Sequence, residues 1–215
     1  MLMFSVLTII GAYLIGSISS AVWIGKHFYG VDVREHGSGN AGFTNTVRVL
    51  GWKAGLPVFI IDIFKGWLAV KLSVITGLYH EESYAFVNFQ LILGAAAVLG
   101  HIFPIYTGFK GGKGVATILG LILAVDPITT LVCMSIFLLV FLTTRYVSLS
   151  SLIAGLSFPV IMIFVFKTTI PSLIIFSLIV TTLLFLTHQK NIQRLIDKEE
   201  NRAKIFKKHR ENNEE

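Results

Sequence analysis

Long uncharged stretches fill most of this sequence, and they limit what the chain can fold into more than any other feature. A helix needs about 20 mostly apolar residues to cross the hydrocarbon core of a bilayer. Stretches of roughly this kind occur seven times, at residues 3–25, 54–77, 85–107, 115–126, 128–144, 149–166 and 171–187. The sequence therefore predicts an all-α fold, a polytopic membrane helix bundle with about seven transmembrane helices.

Two of the seven stretches allow another interpretation. The fourth is short, and the fifth begins directly after Asp126 and Pro127, so a re-entrant helix there, or six or eight spans in all, are alternatives. The first has the position of a secretory signal peptide. However, no Lys or Arg precedes it, and its apolar part is longer than usual in such a signal. We expect it to remain as the first helix.

The composition supports a membrane protein over a soluble one. Of the 215 residues, 54% are hydrophobic and only 14% are charged, whereas a soluble domain carries about 25% charged residues. No tandem repeat is evident, and no soluble domain accompanies the apolar stretches. We predict one transmembrane catalytic domain, residues 1–190, followed by a charged cytoplasmic tail, residues 191–215. Cys133 is the only cysteine and lies within an apolar stretch, so we expect a buried, inert thiol.

The basic residues are unevenly distributed between the two membrane faces. If the seven spans alternate, fifteen of the eighteen Lys and Arg residues fall on one face, Lys167 alone falls on the other, and Lys65 and Lys71 lie within the second stretch. The positive-inside rule then predicts an N-terminus outside and a C-terminus in the cytoplasm. The basic clusters lack the interleaved aromatic residues of a nucleic-acid platform, so membrane lipid phosphates are better partners than nucleic acid. The basic segments are 26–53, 108–114, 145–148 and the tail from 188.

The first of these loops is rich in glycine and neutral hydrogen-bond donors. Gly37, Gly39 and Gly42 let the backbone approach a ligand and present its N–H groups to an anion, and Arg48 can form a fork on phosphate. The run also matches the dinucleotide pattern GxGxxG. A membrane span precedes it instead of a strand, and no acidic residue follows at the required distance, so we reject that interpretation. A plain glycine turn is the remaining alternative.

The second loop places two lysines at the start of an apolar helix. Lys110 and Lys113 flank Gly111 and Gly112, and the free N–H groups of a helix N-terminus favour an anion there. The spacing is not that of a Walker A loop. The alternative is that both lysines only set the membrane topology. His101, near the end of the third stretch, is equally compatible with a helix-terminal histidine and with a site residue.

The third segment begins where the last stretch enters the cytoplasm. On a continuing helix, His188, Asn191 and Leu195 share one face, while Arg194 lies about 120° from Asn191. Such polar side chains could bind a polar head group, although an interfacial histidine without a role is the alternative.

Two further pairs of charged or titratable residues need an interpretation. Asp62 and Lys65 lie within the second stretch at i, i+3 spacing, which favours an ion pair that faces the bundle interior; direct contact with substrate is the alternative. His27 and Asp32 have the HxxxxD spacing of soluble-type glycerolipid acyltransferases. That spacing straddles the end of a span and a glycine, so we do not expect a catalytic dyad there.

Taken together, these segments resemble a known family, the bacterial acyl-phosphate-dependent glycerol-3-phosphate acyltransferases. The resemblance covers nearly the whole chain, and its long middle motif is highly specific. Two departures are Phe43, where the family often has alanine, and the Lys- and Glu-rich end of the chain. The matching motifs are Gly16-Ser17-Ile18, GSGNxGxTN at 37–45, the GHxFPxxxGFKGGKGVAT run that ends at Thr117, Arg145–Leu149, and HxxNIxRL at 188–195.

The resemblance implies an enzyme of the bacterial cytoplasmic membrane with its active site on the cytoplasmic face. It would form lysophosphatidic acid and phosphate from acyl phosphate and glycerol 3-phosphate, the first step of phospholipid synthesis, without a metal or cofactor. A soluble enzyme that produces acyl phosphate is a candidate partner. By motif position, the catalytic residues would be Ser38, Arg48, Lys113, His188 and Asn191. The substrate- and phosphate-binding residues would be Gly37, Gly39, Asn40, Thr44, Asn45, His101, Lys110, Gly111 and Gly112.

The chemistry of such a site can be anticipated. Both substrates are polyanions, so fixed cations and N–H groups would screen their approach, and a carboxylate base in the pocket would repel them. Acyl phosphate is already activated, so we expect direct transfer without a covalent enzyme intermediate. No well-placed Asp or Glu is evident, which leaves the donor phosphate to accept the proton.

The main rival is a transporter or channel for an organic phosphate, but almost wholly apolar spans argue against it. A non-catalytic membrane scaffold would leave the glycine-rich loops unexplained.

Overall fold

The computed structural model describes residues 1–81 and 83–203, and the regular secondary structure of this part of the chain is entirely helical. The prediction of an all-α fold is thereby confirmed. Short 3-10 turns at Val33–Glu35 and Ile105–Thr107 and a π-helical turn at Ile161–Val165 accompany the helices. The α-helices are α1 (Leu2–Gly16), α2 (Ser20–Tyr29), α3 (Phe43–Leu50), α4 (Trp52–Thr76), α5 (Tyr84–Ile102), α6 (Val115–Val125), α7 (Pro127–Thr144), α8 (Val147–Val160), α9 (Pro171–Thr187) and α10 (Gln189–Ile196).

Three helices in the described part of the chain are long and apolar enough to cross a membrane singly, at Tyr84–Thr107, Pro127–Thr144 and Val147–Val165. The number rises to five if each of two bent pairs, α1 with α2 and α9 with α10, counts as one span. Helix α4 has the length, but every 18-residue window in it contains at least three charged residues. Helix α6 has only 11 residues.

The first predicted span is broken in the middle. Helices α1 and α2 meet at an angle of 43°, and residues 17–19 between them are not helical. The break leaves the Ile18 carbonyl free of the regular helical ladder, where it accepts a hydrogen bond from Lys65 Nζ at 2.8 Å. A bend in a transmembrane helix is tolerated when a neighbouring helix satisfies the freed backbone groups.

Helix α4 lies at the centre of the bundle, against α1, α2, α3, α5 and α6. Its contact with α6 is close enough that a side chain at Gly120 would collide with the Ile63 carbonyl. Small residues at such contacts let helix backbones approach each other, which is how helices associate where lipid surrounds them. The helices that pack on α4 therefore enclose Asp62 and Lys65, which are 1% and 3% exposed.

The last predicted span does not continue as a straight helix. Helices α9 and α10 meet at 61°, with His188 between them, so the continuous helical face expected for His188 and Asn191 does not form. Residues 197–203 then fold back on the start of α8, where Ala203 N–H donates to the Arg145 carbonyl at 2.8 Å. The division at residue 190 into a catalytic domain and a tail stays a prediction, although residues 191–203 pack on the bundle. Residues 204–215 of that tail lie outside the described residues.

Cys133 is buried in α7, as expected from its apolar surroundings. The predicted ion pair in α4 is also confirmed, with Lys65 Nζ 2.9 Å from Asp62 Oδ1.

Candidate active site

The three segments singled out in the sequence meet at one end of the helix bundle. Between them lies a pocket of about 310 Å³. One wall comes from the first glycine-rich loop, one from Lys113, two residues before α6, and one from the junction of α9 and α10. The lining residues are Ser38, Gly39, Asn40, Lys113, Leu186, Thr187, Gln189, Lys190, Asn191 and Arg194.

The first loop owes its shape to the side chain of Asn45. This side chain is 2% exposed; its Oδ1 accepts from Ser38 N–H at 2.8 Å, and its Nδ2 donates to the Val33 and His36 carbonyls at 2.7 and 3.1 Å. Gly37 has φ +62°, a left-handed conformation that costs L-residues energy. These hydrogen bonds of the Asn45 side chain therefore stabilise the conformation of the loop, and that conformation places Ser38 at the pocket.

Arg34 fastens the first loop to the second, a role that sequence reasoning did not assign. Its Nη1 donates to the Thr107 carbonyl at 2.7 Å, while its Nε and Nη2 bind the Asp32 carboxylate. Hydrogen bonds from Arg34, aided by Lys26, outweigh burial and hold the pKa of Asp32 well below its usual value. Asp32 is thus engaged in ion pairs, and the HxxxxD dyad with His27 does not form.

The second loop lies directly on His101. Gly112 N–H donates to the His101 carbonyl at 3.1 Å, and Gly111 N–H donates to the Ile102 carbonyl at 3.1 Å. A Cβ on Gly112 would collide with His101 Nε2 and stand 2.9 Å from the Ala41 carbonyl of the first loop. His101 is 6% exposed and does not line the pocket, so it contacts the loop on the side that faces the interior of the bundle.

Lys113 follows this turn and reaches the C-terminal helix. Its ammonium donates to Asn191 Oδ1 across the pocket. Burial lowers the pKa of Lys113 to about 8; the Glu200 carboxylate opposes this shift, and the charges of Arg194 and Arg48 add to it. At pH 7 the group is therefore still mainly protonated, and it is poised to bind an anion.

His188 is buried at the junction of α9 and α10. Its Nδ1 lies 2.8 Å from the Leu184 carbonyl, which can only accept, so Nδ1 carries the proton. Burial, and next the positive charge of Lys113, lower the pKa of His188 to about 4. At pH 7 the ring is therefore neutral, and its Nε2 is an acceptor. For His188 to donate a hydrogen bond to a phosphate through Nε2, an approaching anion must favour the protonated ring.

Glu200 is a site residue that sequence reasoning missed, and it corrects the expectation that no acidic group stands near the pocket. Its Oε1 accepts from Asn191 Nδ2 at 2.6 Å and Ser148 Oγ at 2.8 Å, and its Oε2 accepts from Arg194 Nε at 2.7 Å. Burial alone would raise the pKa of Glu200, but these three donors keep it below the usual value. Glu200 does not line the pocket. Because Arg194 neutralises it, the carboxylate supports the site without repelling an anion.

The other residues named from the sequence occupy several positions around the pocket. Of the five expected catalytic residues, Ser38, Lys113 and Asn191 line it. Arg48 and Thr44 are exposed on α3, and Lys110 is exposed on the second loop. Six more of the named residues do not line the pocket but lie behind the residues that do: Gly37, Asn45, His101, Gly111, Gly112 and His188. Ser148 and Arg194 join Glu200 as residues whose part in the site only the structure reveals.

The arrangement suits a polyanionic ligand. Lys113 and Arg48 bring positive charge to the pocket, and Glu200, the carboxylate that the described residues place near it, is paired with Arg194. Neutral donors at Ser38, Asn40 and the loop N–H groups can orient phosphate or carbonyl oxygens. No nucleophile with an activating base stands in the lining that the structure describes, which fits a site that positions reactants.

Comparisons with known proteins agree closely with one another. Residues 6–198 match the family model described as glycerol-3-phosphate acyltransferase. Curated glycerol-3-phosphate acyltransferases include one from Chlorobium phaeobacteroides (strain BS1), 40% identical over 94% of this chain and 98% of the relative, and one from Salinibacter ruber, 41% identical over 91% and 90%.

Two solved structures share the fold. Both are crystal structures of PlsY (YgiH), described as an integral membrane glycerol 3-phosphate acyltransferase. The glycerol 3-phosphate form has a TM-score of 0.83 and 38% identity, and covers 93% of this chain and 95% of its own. The lysophosphatidic acid form has a TM-score of 0.79 and 37% identity, with coverages of 92% and 94%.

Proposed function

Because the chain belongs to the glycerol-3-phosphate acyltransferase family, a family of multi-pass membrane proteins of phospholipid synthesis, we propose that it transfers a fatty acyl group from acyl phosphate to the 1-hydroxyl of glycerol 3-phosphate. The products are lysophosphatidic acid and inorganic phosphate. The observation that carries the proposal is the polar, positively charged pocket lined by Ser38, Lys113 and Asn191 at the end of an apolar helix bundle. The phosphate-bearing substrate would bind at this end, with the acyl chain of the donor among the apolar helices.

The transfer is a direct displacement. The glycerol hydroxyl oxygen attacks the carbonyl carbon of acyl phosphate, a C–O ester bond forms, and the C–O bond to phosphate breaks. The leaving phosphate takes both the bonding electron pair and the hydroxyl proton, so no group of the enzyme changes its proton count. The carboxylate of Glu200 is an unsuitable base because Arg194, Asn191 and Ser148 already occupy it.

Within this reaction the enzyme contributes position and charge. Lys113 and Arg48 stabilise phosphate oxygens, Asn191 fixes the Lys113 ammonium, and Ser38 hydrogen-bonds the reacting centre. His188 donates to phosphate from Nε2 once anion binding favours its protonation. Preorganised donors of this kind typically contribute several kcal/mol to the transition state in a partly dry site.

We also propose seven spans, with the N-terminus outside, the C-terminus in the cytoplasm and the pocket on the cytoplasmic face. This is supported by the position of the loops: the segments around Ser38, Lys113, Arg145 and His188 all meet at the pocket end. Since Lys113 precedes α6 and Arg145 follows α7, the chain leaves this end and returns within these two helices. A C-terminal tag that reacts from outside intact cells would contradict this orientation.

One assay tests the donor and the reaction class together. Purified protein is supplied with glycerol 3-phosphate and either acyl phosphate or acyl-CoA, and lysophosphatidic acid is measured. We expect product from acyl phosphate alone. Product from acyl-CoA alone would refute the donor, and no product from either would favour a transporter of organic phosphates. Acylated Ser38, detected by mass spectrometry during turnover, would refute direct transfer.

The same assay can be extended to the proposed partner. A soluble enzyme that produces acyl phosphate would supply the donor at this membrane face. If it docks on this protein, the two should sediment together with vesicles that contain the acyltransferase and not with empty vesicles.

A further inference from the structure

The buried ion pair in α4 has no part in the mechanism described above. Asp62 and Lys65 are almost fully buried and do not line the pocket. Charges within a membrane protein are costly, and they are retained where they pair or serve a site. A role outside substrate contact therefore has to be sought in their partners.

Those partners come from two other parts of the bundle. Asp62 Oδ1 accepts from Ser20 Oγ at 2.8 Å and from Lys65 Nζ at 2.9 Å. Lys65 Nζ also donates to the Ile18 carbonyl at 2.8 Å. The pair therefore joins α4 to the break between α1 and α2, at Ile18, and to the start of α2, at Ser20.

The third partner connects the pair to the glycine loop. His101 Nδ1 faces Asp62 Oδ1 at 3.6 Å and has no hydrogen-bond partner among the residues that the structure describes. The other edge of the ring, at Nε2, lies against Gly112, and the His101 carbonyl accepts from Gly112 N–H at 3.1 Å. The imidazole is thus enclosed between a fixed carboxylate and the residue that directly precedes Lys113.

From this chain of contacts we propose that Asp62, Lys65 and His101 are positioning residues. The ion pair fixes the His101 ring, and the ring fixes the Gly111–Gly112 turn that carries Lys113 to the pocket. The inference rests on the proposed function only in that it makes Lys113 part of the phosphate site. The three residues do not form a proton relay, because Nε2 faces the Cα of Gly112, a carbon that neither donates nor accepts a proton.

Two variants test the proposal. Ser20→Ala removes one donor to Asp62, and the double variant Asp62→Asn, Lys65→Met removes both charges together. Removing a buried pair as a unit leaves no uncompensated charge and is often tolerated, whereas removing one partner is not. The matched control for the first is Ser73→Ala, since Ser73 is a buried serine near the far end of α4 that bonds only the Val70 carbonyl of its own helix.

The measurement is hydrogen–deuterium exchange of the peptide that covers residues 108–114, on full-length protein in lipid nanodiscs without substrate. We expect exchange at the Gly112 amide to quicken about tenfold or more in the double variant and several-fold in Ser20→Ala, while Ser73→Ala matches the wild type. In parallel, the KM for glycerol 3-phosphate should rise in the first two variants, with thermal unfolding of Ser20→Ala close to that of the wild type.

Unchanged exchange of this peptide in Ser20→Ala and in the double variant overturns the proposal, whatever happens to KM. If the double variant does not fold, Ser20→Ala decides alone. The exchange experiment needs no catalysis, so it stands apart from the proposed function. A wild-type protein inactive with acyl phosphate would refute that function and leave the loop result to be judged separately.

Discussion

Lys113 and Asn191, 78 positions apart in the sequence, are joined by a hydrogen bond from the ammonium to the side-chain amide oxygen. This bond connects the glycine loop before α6 to the helix that follows the last apolar stretch. The opposite edge of the same amide donates to Glu200 at 2.6 Å, which fixes its orientation and aims Oδ1 at the lysine. A cation held in this way binds an incoming phosphate with little reorganisation.

Removal of the Lys113 charge should abolish most of the activity. We expect Lys113→Ala to lower kcat/KM for glycerol 3-phosphate about 100-fold or more, the usual cost of losing one preorganised donor. Lys110→Ala is the matched control: this lysine belongs to the same loop but is exposed and outside the pocket lining, so its loss should cost less than about threefold. Equal losses in the two variants would mean that the loop acts only through its net charge.

The activity should fall in alkaline solution as Lys113 loses its proton. Because its pKa in the free protein is about 8, kcat/KM should decline as the pH rises through about 8, whereas phosphate monoesters complete their ionisation near pH 6. The measurement is kcat/KM between pH 6 and 10 at constant ionic strength. A profile that stays flat to pH 10 would contradict the assignment.

A loss of stability caused by deprotonation of Lys113 cannot explain the same decline in kcat/KM. The pKa of Lys113 is lower in the folded state, about 8, than the 10.5 of a free lysine. The unfolded chain therefore binds more protons in this window, and the free energy of unfolding rises with pH there. Loss of activity with retained stability points to the catalytic charge.

Loss of the Glu200 carboxylate should weaken both the fold and the site. Glu200→Gln leaves Arg194 without its partner and introduces an amide beside donors, so we expect a loss of about 1–3 kcal/mol in the free energy of unfolding. We also expect kcat/KM to fall about tenfold as Asn191 loses its fixed orientation. The exposed neighbour Glu199 supplies the control, Glu199→Gln, which should change neither quantity.

The effect of Glu200 on the pKa of Lys113 distinguishes a role in the site from a role in stability alone. Its negative charge favours the protonated lysine, so its removal should move the alkaline decline of kcat/KM to lower pH. A variant that is destabilised but keeps the wild-type midpoint would show that Glu200 supports the fold without acting on the site.

The close contact of the second loop with His101 predicts a steric requirement for glycine. Gly112→Ala should raise the KM for glycerol 3-phosphate about tenfold or more, because the added methyl collides with the imidazole and displaces the turn that carries Lys113. Gly11→Ala is a suitable control, since nothing lies within 4 Å of a Cβ at that position. Wild-type KM in Gly112→Ala would show that the loop can shift without harm.

The parts of the site that could be predicted from the sequence are those carried by local patterns. Ser38, Lys113 and Asn191 each stand in a short motif of glycines and polar residues beside an apolar stretch, and each lines the pocket. The pair of Asp62 and Lys65 was predictable too, because i, i+3 spacing within one helix fixes the geometry without reference to other elements.

Contacts between distant segments could not be predicted in this way. Glu200 stands in a charged stretch in which no local pattern distinguishes it from Glu199, and its role depends on the chain folding back onto Ser148. His101 was equally compatible with a site residue or a helix-terminal residue, because whether its ring meets the pocket or the back of the loop depends on how α5 packs against α4.

The sequence by itself determined an all-helical membrane protein of this acyltransferase family, with most of its basic residues between or after the apolar stretches, because hydropathy and motif spacing are properties of neighbouring residues. Only the tertiary structure decided that the first span breaks at Ile18 to receive Lys65, that His188 is buried in neutral form, and that a carboxylate from beyond the last span orients Asn191. Each of these depends on which helices enclose a polar group, and that enclosure sets both its partners and its charge.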